Sequence, residues 1–210
     1  MIDAIFPTPI YNVTLDSHKK WQDLFLPFLD DMSIWSDKNS WDCSVQTSLD
    51  SGNNHKLLWN DISEEIIPLV KDYASIWEPI TEYDIGVESW MCKYSTGSYQ
   101  EQHNHISSRG IQLSAVYMLS TKQTDSKLVF VDPSQDFYKQ SGFSDFFYNT
   151  PQRCFVPVQP EGTFLIFPSN LDHYVTANTS NNIRATLSMN FKFIWKIEQQ
   201  FQNMNKGKIE

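Results

Sequence analysis

The hydrophobic pattern of the chain changes at Pro79, and this change limits the fold more than any other feature of the sequence. Before Pro79, two segments carry apolar residues three and four positions apart, which is the period of an amphipathic helix. After it, apolar and polar residues alternate in several short runs separated by glycine, asparagine and serine. Several short alternating runs indicate the strands of a sandwich or barrel. The sequence therefore predicts a mainly β protein with N-terminal helices.

Two helices are predicted before the β-structure. The first begins after Ser17, which can cap a helix, and Pro27 is expected to kink or end it. The second is predicted over residues 61–77, because its first four residues have the spacing of a capping box and an apolar stripe follows them. The proline-punctuated segment 5–13 is predicted to form an extended edge strand.

The length of 210 residues suggests one domain. We expect a helical N-terminal part over residues 1–85, a β core over 86–196 and a polar tail over 197–210. The core contains a long insertion, residues 132–157, that is rich in aromatic side chains. Insertions of this length are usually functional. It is predicted to form either a lid over the site or a hydrophobic clasp on the barrel.

Charge and cysteine content argue against several classes of protein. The net charge is −9, so the chain lacks the positive surface of a nucleic-acid binder and we expect no nucleic-acid partner. Its apolar stretches are too short for a membrane-spanning helix. Three scattered cysteines, Cys43, Cys92 and Cys154, are typical of reduced thiols. Because no secretory signal is recognised either, we expect a cytoplasmic protein.

Three of the five histidines are candidates to share one metal ion. On an extended chain, His103 and His105 project from the same face, where two imidazoles can bind one metal. His173 follows an apolar strand and a turn, so it lies at a strand end and is the natural third ligand. A solitary histidine is more often a surface or core residue, so the histidines alone leave both interpretations open.

Arg184 favours the metal interpretation. It lies eleven residues after His173, on a predicted strand whose polar face also carries Thr186, Ser188 and Asn190. A polar face with an arginine among apolar strands implies a lined cavity. The guanidinium can hold a carboxylate by two hydrogen bonds, and the Thr186 hydroxyl can add a third. A metal with an interior carboxylate receptor suits a 2-oxo acid cosubstrate. The alternative is a structural ion pair with an acidic residue on a neighbouring strand.

In this order and spacing, the motifs resemble those of the 2-oxoglutarate- and Fe(II)-dependent oxygenases of bacteria and their phages. The resemblance covers nearly the whole chain. It rests on the opening segment 5–10, on Trp90, Tyr94, Gly97, His103-Asn104-His105 and the strand 113–119, on Phe130-Val131-Asp132-Pro133, on the segment 160–169 with His173, and on Arg184-Ala185-Thr186-Leu187-Ser188.

The resemblance implies a double-stranded β-helix, the cupin-like jelly roll, that binds one Fe(II) and uses 2-oxoglutarate as cosubstrate. It implies His103, His105 and His173 as metal ligands, and Arg184 with Thr186 as cosubstrate contacts. The wider superfamily has Asp or Glu where this chain has His105. The chain therefore has either an all-histidine site or a different third ligand.

Tyr94 occupies a strand leading to the histidine pair, where a tyrosine in the wider superfamily donates to the cosubstrate carboxylate; the alternative is a core aromatic. The sequence thus predicts a 2-oxoglutarate-dependent dioxygenase that hydroxylates a C–H bond of a peptide, an amino acid or a small metabolite. A three-histidine cupin-like dioxygenase without 2-oxoglutarate and a non-enzymatic jelly-roll module stay open as alternatives. A homodimer is compatible with the sequence.

Overall fold

The computed structural model describes residues 7–37, 42–106, 110–122, 125–134, 140–142 and 154–196. The helices are α1 (His18–Phe25) and α2 (Trp59–Ser75), and short 3-10 turns occupy Leu26–Asp30, Met32–Ile34 and Asn54–Lys56. The strands are β1 (Tyr11–Thr14), β2 (Ser36–Asp37), β3 (Gln46–Thr47), β4 (Tyr83–Tyr94), β5 (Gln100–His103), β6 (Leu113–Ser120), β7 (Leu128–Val131), β8 (Cys154–Phe155), β9 (Thr163–Pro168), β10 (His173–Val175) and β11 (Arg184–Trp195).

The strands form two antiparallel sheets. The large sheet has seven strands in the order β1-β9-β6-β11-β4-β3-β2, and the small sheet has four in the order β5-β10-β7-β8. Apolar side chains from both sheets pack together between them, among them Trp90 and Tyr94 from the large sheet and Phe130 and Val175 from the small one. This arrangement confirms the predicted double-stranded β-helix. The long pairing of β4 with β11 forms the centre of the large sheet.

Alternation along β11 separates the two faces of the large sheet. Ala185, Leu187, Met189 and Phe191 point to the outer face, where they pack in one core with the helices. The α1 and α2 side chains in this core include Trp21, Phe25, Ile62, Ile66 and Val70. Arg184, Thr186 and Ser188 point to the inner face and line the interior between the sheets. The predicted polar and apolar faces of this strand are confirmed.

The helix boundaries agree only in part with the sequence predictions. The chain leaves α-helical geometry at Leu26, directly before Pro27, as expected. Helix α2 begins at Trp59, with Leu58 at the N-cap and no capping side chain, so the predicted capping box at Asp61 is wrong. Trp59 fixes this earlier start because its indole Nε1 donates to the Asn54 carbonyl at 3.0 Å. Asp61 instead lies in the first turn, where its charge interacts favourably with the helix dipole.

Three other expectations concern the ends of the molecule and its long insertion. The edge strand is present as β1, which pairs with β9 at one margin of the large sheet, but it begins at Tyr11 and the described residues 7–10 of the predicted segment are not part of it. Most of the insertion 132–157, including its aromatic residues Tyr138, Phe143, Phe146, Phe147 and Tyr148, lies outside the described residues, as does the predicted tail 197–210. Within the described part of the chain, neither helix has the length and apolar character needed to cross a membrane.

Candidate metal and cosubstrate site

The three histidines singled out in the sequence converge between the sheets. One potential ligand atom from each of His103, His105 and His173 lies within 4.8 Å of the other two. His103 ends β5 and His173 begins β10, and these residues are directly opposed in the antiparallel pairing. His105 follows β5, and its backbone N–H donates to the Ser169 carbonyl at 2.8 Å. The geometry is that of three imidazoles around one point.

Hydrogen bonds at Nδ1 set the orientation of two of these rings. His103 Nδ1 lies 2.7 Å from the Glu101 carbonyl oxygen, and His173 Nδ1 lies 2.8 Å from the Leu171 carbonyl oxygen. A carbonyl oxygen only accepts, so each Nδ1 carries the proton. The neutral rings therefore present the lone pair of Nε2, which is the atom an imidazole offers to a metal.

His105 is oriented in the same way, but by a side chain and not by a backbone carbonyl. Its Nδ1 lies 2.6 Å from Asn190 Oδ1, which also accepts from the Ser114 hydroxyl at 2.9 Å. The amide nitrogen of Asn190 donates to Glu88 Oε2 at 3.1 Å, which identifies Oδ1 as the atom facing His105. The Nδ1 of His105 is therefore the protonated nitrogen, as in the other two rings.

Burial keeps two of the imidazoles uncharged. Burial, with the neighbouring His103 as a second cause, lowers the pKa of His105 to about 4. Burial, followed by His103 and His105, holds the pKa of His173 well below its usual value. Both rings are thus neutral at pH 7, which is the protonation state that binds metal.

Arg184 is buried beside this cluster with an incomplete set of partners. Its side chain is 1% exposed, and its guanidinium lies 4.9 Å from the centre of the Tyr94 ring. Nη2 contacts the Met118 sulfur at 3.4 Å, whereas Nε and Nη1 have no hydrogen-bond partner among the described residues. The salt bridges of that part of the chain do not include Arg184, so the alternative of an ion pair with a neighbouring strand has no support. Unpartnered donors on a buried guanidinium suit a carboxylate, and a two-pronged contact would also use Nη2, which here faces the Met118 sulfur.

Tyr94 and Thr186 lie on the same wall of the interior as Arg184, and all three line one chamber with His103 and His173. The Tyr94 hydroxyl donates to Gln100 Oε1 at 2.8 Å. Gln100 Nε2 in turn lies 3.4 Å from His103 Nε2. Gln100 thus connects the arginine end of the chamber to the histidine end.

Sequence analysis missed Gln100 and did not assign a role to Asn190. Strand alternation puts residues 100 and 103 on opposite faces, but the register between β5 and β10 shifts between the His103–His173 and Gln100–Val175 pairs. This bulge turns both side chains inward. For Asn190 a signal was available, since it shares the polar face of β11 with Arg184.

The carboxylate nearest to the cluster in sequence, Asp172, points away from it. Its two oxygens accept from Asn104 Nδ2 at 2.8 Å and from Gln102 Nε2 at 3.1 Å, and both bonds are exposed to solvent. It therefore does not supply the acidic ligand that the wider superfamily would have at His105.

The histidine cluster also borders a larger cavity of about 280 Å3 that opens to solvent. The walls of this outer cavity combine apolar and polar side chains, namely Leu49, Trp90, Ile106, Ile111, Glu88, Gln100, Glu101, Asn104 and Asn190, together with His103 and His105. The fold and the site together define a jelly-roll protein whose interior suits a metal ion at one end and a carboxylate at the other.

Comparison with known families agrees with this class. Residues 88–190 match the model of a family described as "Putative 2OG-Fe(II) oxygenase". The matched segment contains every candidate site residue, and the cofactor and cosubstrate of that family are Fe(II) and 2-oxoglutarate. A search of curated proteins gave no match.

Solved structures show the same fold at low sequence identity. A prolyl-4-hydroxylase from Pseudomonas putida has a TM-score of 0.57 and 14% identity over 88% of this chain and 92% of that one. The non-heme alpha ketoglutarate dependent epimerase SnoN from nogalamycin biosynthesis has a TM-score of 0.63 and 13% identity over 88% and 77%. HygX from Streptomyces hygroscopicus, with nickel and 2-oxoglutarate bound, has a TM-score of 0.58 and 9% identity over 88% and 83%.

Proposed function

We propose that this protein is a dioxygenase that uses Fe(II), 2-oxoglutarate and O2 to hydroxylate a C–H bond of a peptide, an amino acid or a small metabolite. One observation carries the proposal: the orphaned guanidinium of Arg184 lines the same chamber as the three imidazoles. A buried cation without an anionic partner costs stability, so its retention beside a metal-suited cluster points to an anionic ligand.

In this proposal the three histidines hold the metal through Nε2, and Arg184 with Thr186 holds the far carboxylate of 2-oxoglutarate. Arginine suits that position better than lysine because its planar fork makes two parallel hydrogen bonds to a carboxylate. The ring of Tyr94, which lies under the guanidinium, keeps this fork in place. The apolar side chains between the sheets exclude water from the bound cosubstrate.

When bound, Fe(II) and 2-oxoglutarate supply the oxidising chemistry. The balanced reaction converts the C–H bond, 2-oxoglutarate and O2 into the hydroxylated product, succinate and CO2. The part of this chain is to bind and orient the reactants. The outer cavity is the route for the substrate, since it reaches His103 and His105 from solvent.

The inner chamber is narrow, and binding requires side-chain movement. Its volume of about 20 Å3 is close to that of one water molecule. Gln100 and Tyr94 are the side chains best placed to move, because their hydrogen bond crosses the space between Arg184 and His103. We therefore expect the Tyr94 hydroxyl to exchange Gln100 for the cosubstrate carboxylate, while Gln100 gives up its contact with His103 Nε2.

A second candidate function is favoured by the ligand set itself. With His105 in place of an acidic ligand, the site resembles that of three-histidine dioxygenases, in which the substrate chelates the metal directly. In that case Arg184 would bind a carboxylate of the substrate. The two candidates differ in whether 2-oxoglutarate binds and is consumed.

An anaerobic titration separates these functions. Fe(II)-loaded protein is titrated with 2-oxoglutarate while the visible absorption spectrum is recorded. A metal-to-ligand charge-transfer band that saturates with added 2-oxoglutarate supports the proposal, and succinate formed after admission of O2 supports it further. Iron binding without the band supports the three-histidine alternative. Failure to bind stoichiometric Fe(II), Co(II) or Ni(II) would leave a non-enzymatic jelly-roll module.

A further inference from the structure

A row of three polar residues crosses the large sheet beside His105. Asn190 on β11 is directly opposed to Glu88 on β4 and to Ser114 on β6. The row is hydrogen-bonded throughout, since Asn190 donates to Glu88 at 3.1 Å and accepts from Ser114 at 2.9 Å. Asn190 is 8% exposed and Ser114 is fully buried, so water does not compete strongly for the bond between them, whereas Glu88 is partly buried at the wall of the outer cavity.

The row ends at His105, so the Nδ1–H of this ring has a different kind of hydrogen-bond partner from those of the other two. The Nδ1–H groups of His103 and His173 bond to backbone carbonyls, at Glu101 and Leu171. The Nδ1–H of His105 bonds instead to a side chain, at 2.6 Å from Asn190 Oδ1. The orientation of two rings thus depends on the backbone, whereas that of His105 depends on Asn190 and on the partners that fix the Asn190 amide.

We infer that Asn190 and Glu88 are positioning residues that make His105 a metal ligand. This inference rests on the proposed function. Asn190 fixes the tautomer of His105 that leaves Nε2 unprotonated. Glu88 fixes which way the Asn190 amide points, because a carboxylate can accept from Nδ2 but cannot donate to Oδ1.

Glu88 also supplies negative charge to the site. Three neutral imidazoles leave a divalent metal without the anionic ligand that an Asp or Glu at position 105 would provide. The Glu88 carboxylate polarises the Asn190 amide, which strengthens the bond from His105 Nδ1–H and raises the basicity of its Nε2. The carboxylate thus acts on the metal through an amide and an imidazole instead of binding it.

The test compares metal affinity in four variants of the full chain. Co(II) affinity is measured by calorimetric titration for Asn190→Leu, Glu88→Gln, Asp172→Asn and His173→Ala, after circular dichroism has shown that each is folded. Asp172→Asn is the matched control for Glu88→Gln, since each removes one carboxylate near a histidine but Asp172 faces Asn104 and Gln102.

We expect Asn190→Leu to weaken Co(II) binding by about ten- to a hundredfold, as loss of an outer hydrogen-bond partner of a ligating histidine does. Glu88→Gln should weaken it by less, below about tenfold, because a glutamine oxygen can still accept from Asn190. Asp172→Asn should bind as the wild type does. The Co(II) absorption spectrum of Asn190→Leu should change from that of the wild type, which a loss of stability alone would not cause.

A second measurement needs neither metal nor activity. The 15N chemical shifts of the imidazoles in the metal-free protein distinguish protonated from unprotonated ring nitrogens. His105 should carry its proton on Nδ1 in the wild type. This preference should weaken in Glu88→Gln, because a glutamine amide can also donate to Asn190 Oδ1, and should be lost in Asn190→Leu.

The outcomes separate this inference from the proposed function. If His173→Ala abolishes Co(II) binding while Asn190→Leu binds as the wild type does, His105 is not positioned by Asn190 and the inference is wrong, although the metal site stands. If Glu88→Gln and Asp172→Asn have equal effects, the role of Glu88 is wrong. If His173→Ala itself binds Co(II) as tightly as the wild type, the proposed metal site fails.

Discussion

The two faces of the large sheet both bury polar side chains, but they differ in how completely these side chains are hydrogen-bonded. On the outer face, under the helices, Trp21 Nε1 lies 2.6 Å from Ser17 Oγ and 2.9 Å from Glu65 Oε2. There His18 Nδ1 also lies 2.6 Å from the Tyr117 hydroxyl, while its Nε2 makes no hydrogen bond among the described residues and lies 4.0 Å from a Glu161 carboxylate oxygen. On the inner face, Arg184 keeps two guanidinium nitrogens without a partner among the described residues.

Because of this difference, polar groups on the outer face contribute to stability, whereas Arg184 on the inner face is suited to ligand binding. Hydrogen-bonded groups such as Trp21 and Glu65 tie α1 and α2 to each other and to the sheet, and removing one leaves another unsatisfied. An unpartnered buried cation lowers the stability of the ligand-free fold and raises its affinity for a carboxylate. Substitutions on the outer face should therefore change unfolding, and those on the inner face should change ligand binding.

We expect the largest effect when one histidine from each face is replaced and the two variants are compared. His173→Ala should abolish stoichiometric binding of Fe(II) or Co(II), because it removes one of the three proposed ligands and the proposed set has no acidic ligand to compensate. His18→Ala should leave metal binding unchanged. Calorimetric titration of both variants measures the difference. Equal metal affinity in the two proteins would contradict the assignment of the inner face to binding.

A core substitution on the outer face should change stability alone. Trp21 is fully buried, so Trp21→Ala should lower the free energy of unfolding by about 3–5 kcal/mol. Urea denaturation measures this loss. Ile80→Ala is the control, because Ile80 is 88% exposed and its truncation should change stability by less than about 0.5 kcal/mol. The affinity of folded Trp21→Ala for 2-oxoglutarate should equal that of the wild type.

On the inner face, substitution of Arg184 should have opposite effects on affinity and stability. Arg184→Lys should weaken 2-oxoglutarate binding by about ten- to a hundredfold, because a point charge cannot reproduce the two-pronged contact. Arg184→Met should prevent measurable cosubstrate binding, yet keep or raise ligand-free stability by about 1 kcal/mol, since it removes an unpartnered buried charge.

Thermal unfolding with and without cosubstrate measures both effects of Arg184 at once. At 100 times its dissociation constant, a ligand stabilises the native wild type by about 2.7 kcal/mol, which Arg184→Met should lose. Binding of Fe(II) alone should be nearly unchanged in both variants. If Arg184→Met is less stable than the wild type by more than about 2 kcal/mol, or keeps its cosubstrate affinity, the guanidinium is structural.

The features that sequence predicted are those set by periodicity and by residue type. The change of period at Pro79 indicated the β core, and alternation along β11 placed Arg184 and Leu187 on opposite faces. Histidines are rare in this chain, so a spaced pair and a third at a strand end gave a specific hypothesis for the cluster. These signals are local, since each depends on residues within one strand or turn.

What sequence could not predict depends on contacts between distant elements. Gln100 faces the chamber because of a bulge opposite β10, and bulges leave no mark in the alternation of a four-residue strand. The start of α2 was misplaced because Trp59 is held by a turn that precedes it, not by a capping side chain. The bond from His105 to Asn190 joins residues 85 positions apart, and only the register of β11 brings them together.

The smallest expected effect comes from one hydroxyl on each face. Tyr117→Phe removes the outer partner of His18, and Tyr94→Phe removes the inner partner of Gln100. Each variant loses one buried hydrogen bond, so each should lower the free energy of unfolding by about 1 kcal/mol.

The affinities of these two variants for 2-oxoglutarate should differ, because only the Tyr94 hydroxyl lies in the chamber of Arg184. We expect Tyr94→Phe to weaken cosubstrate binding by about threefold to tenfold, because the hydroxyl exchanges a neutral bond to Gln100 for a stronger bond to a carboxylate, and Tyr117→Phe to leave it unchanged. Urea denaturation and anaerobic titration of the two proteins in parallel measure both quantities. Equal cosubstrate affinity would assign Tyr94 to the core alone, as an aromatic side chain that supports Arg184 with its ring and contributes nothing through its hydroxyl.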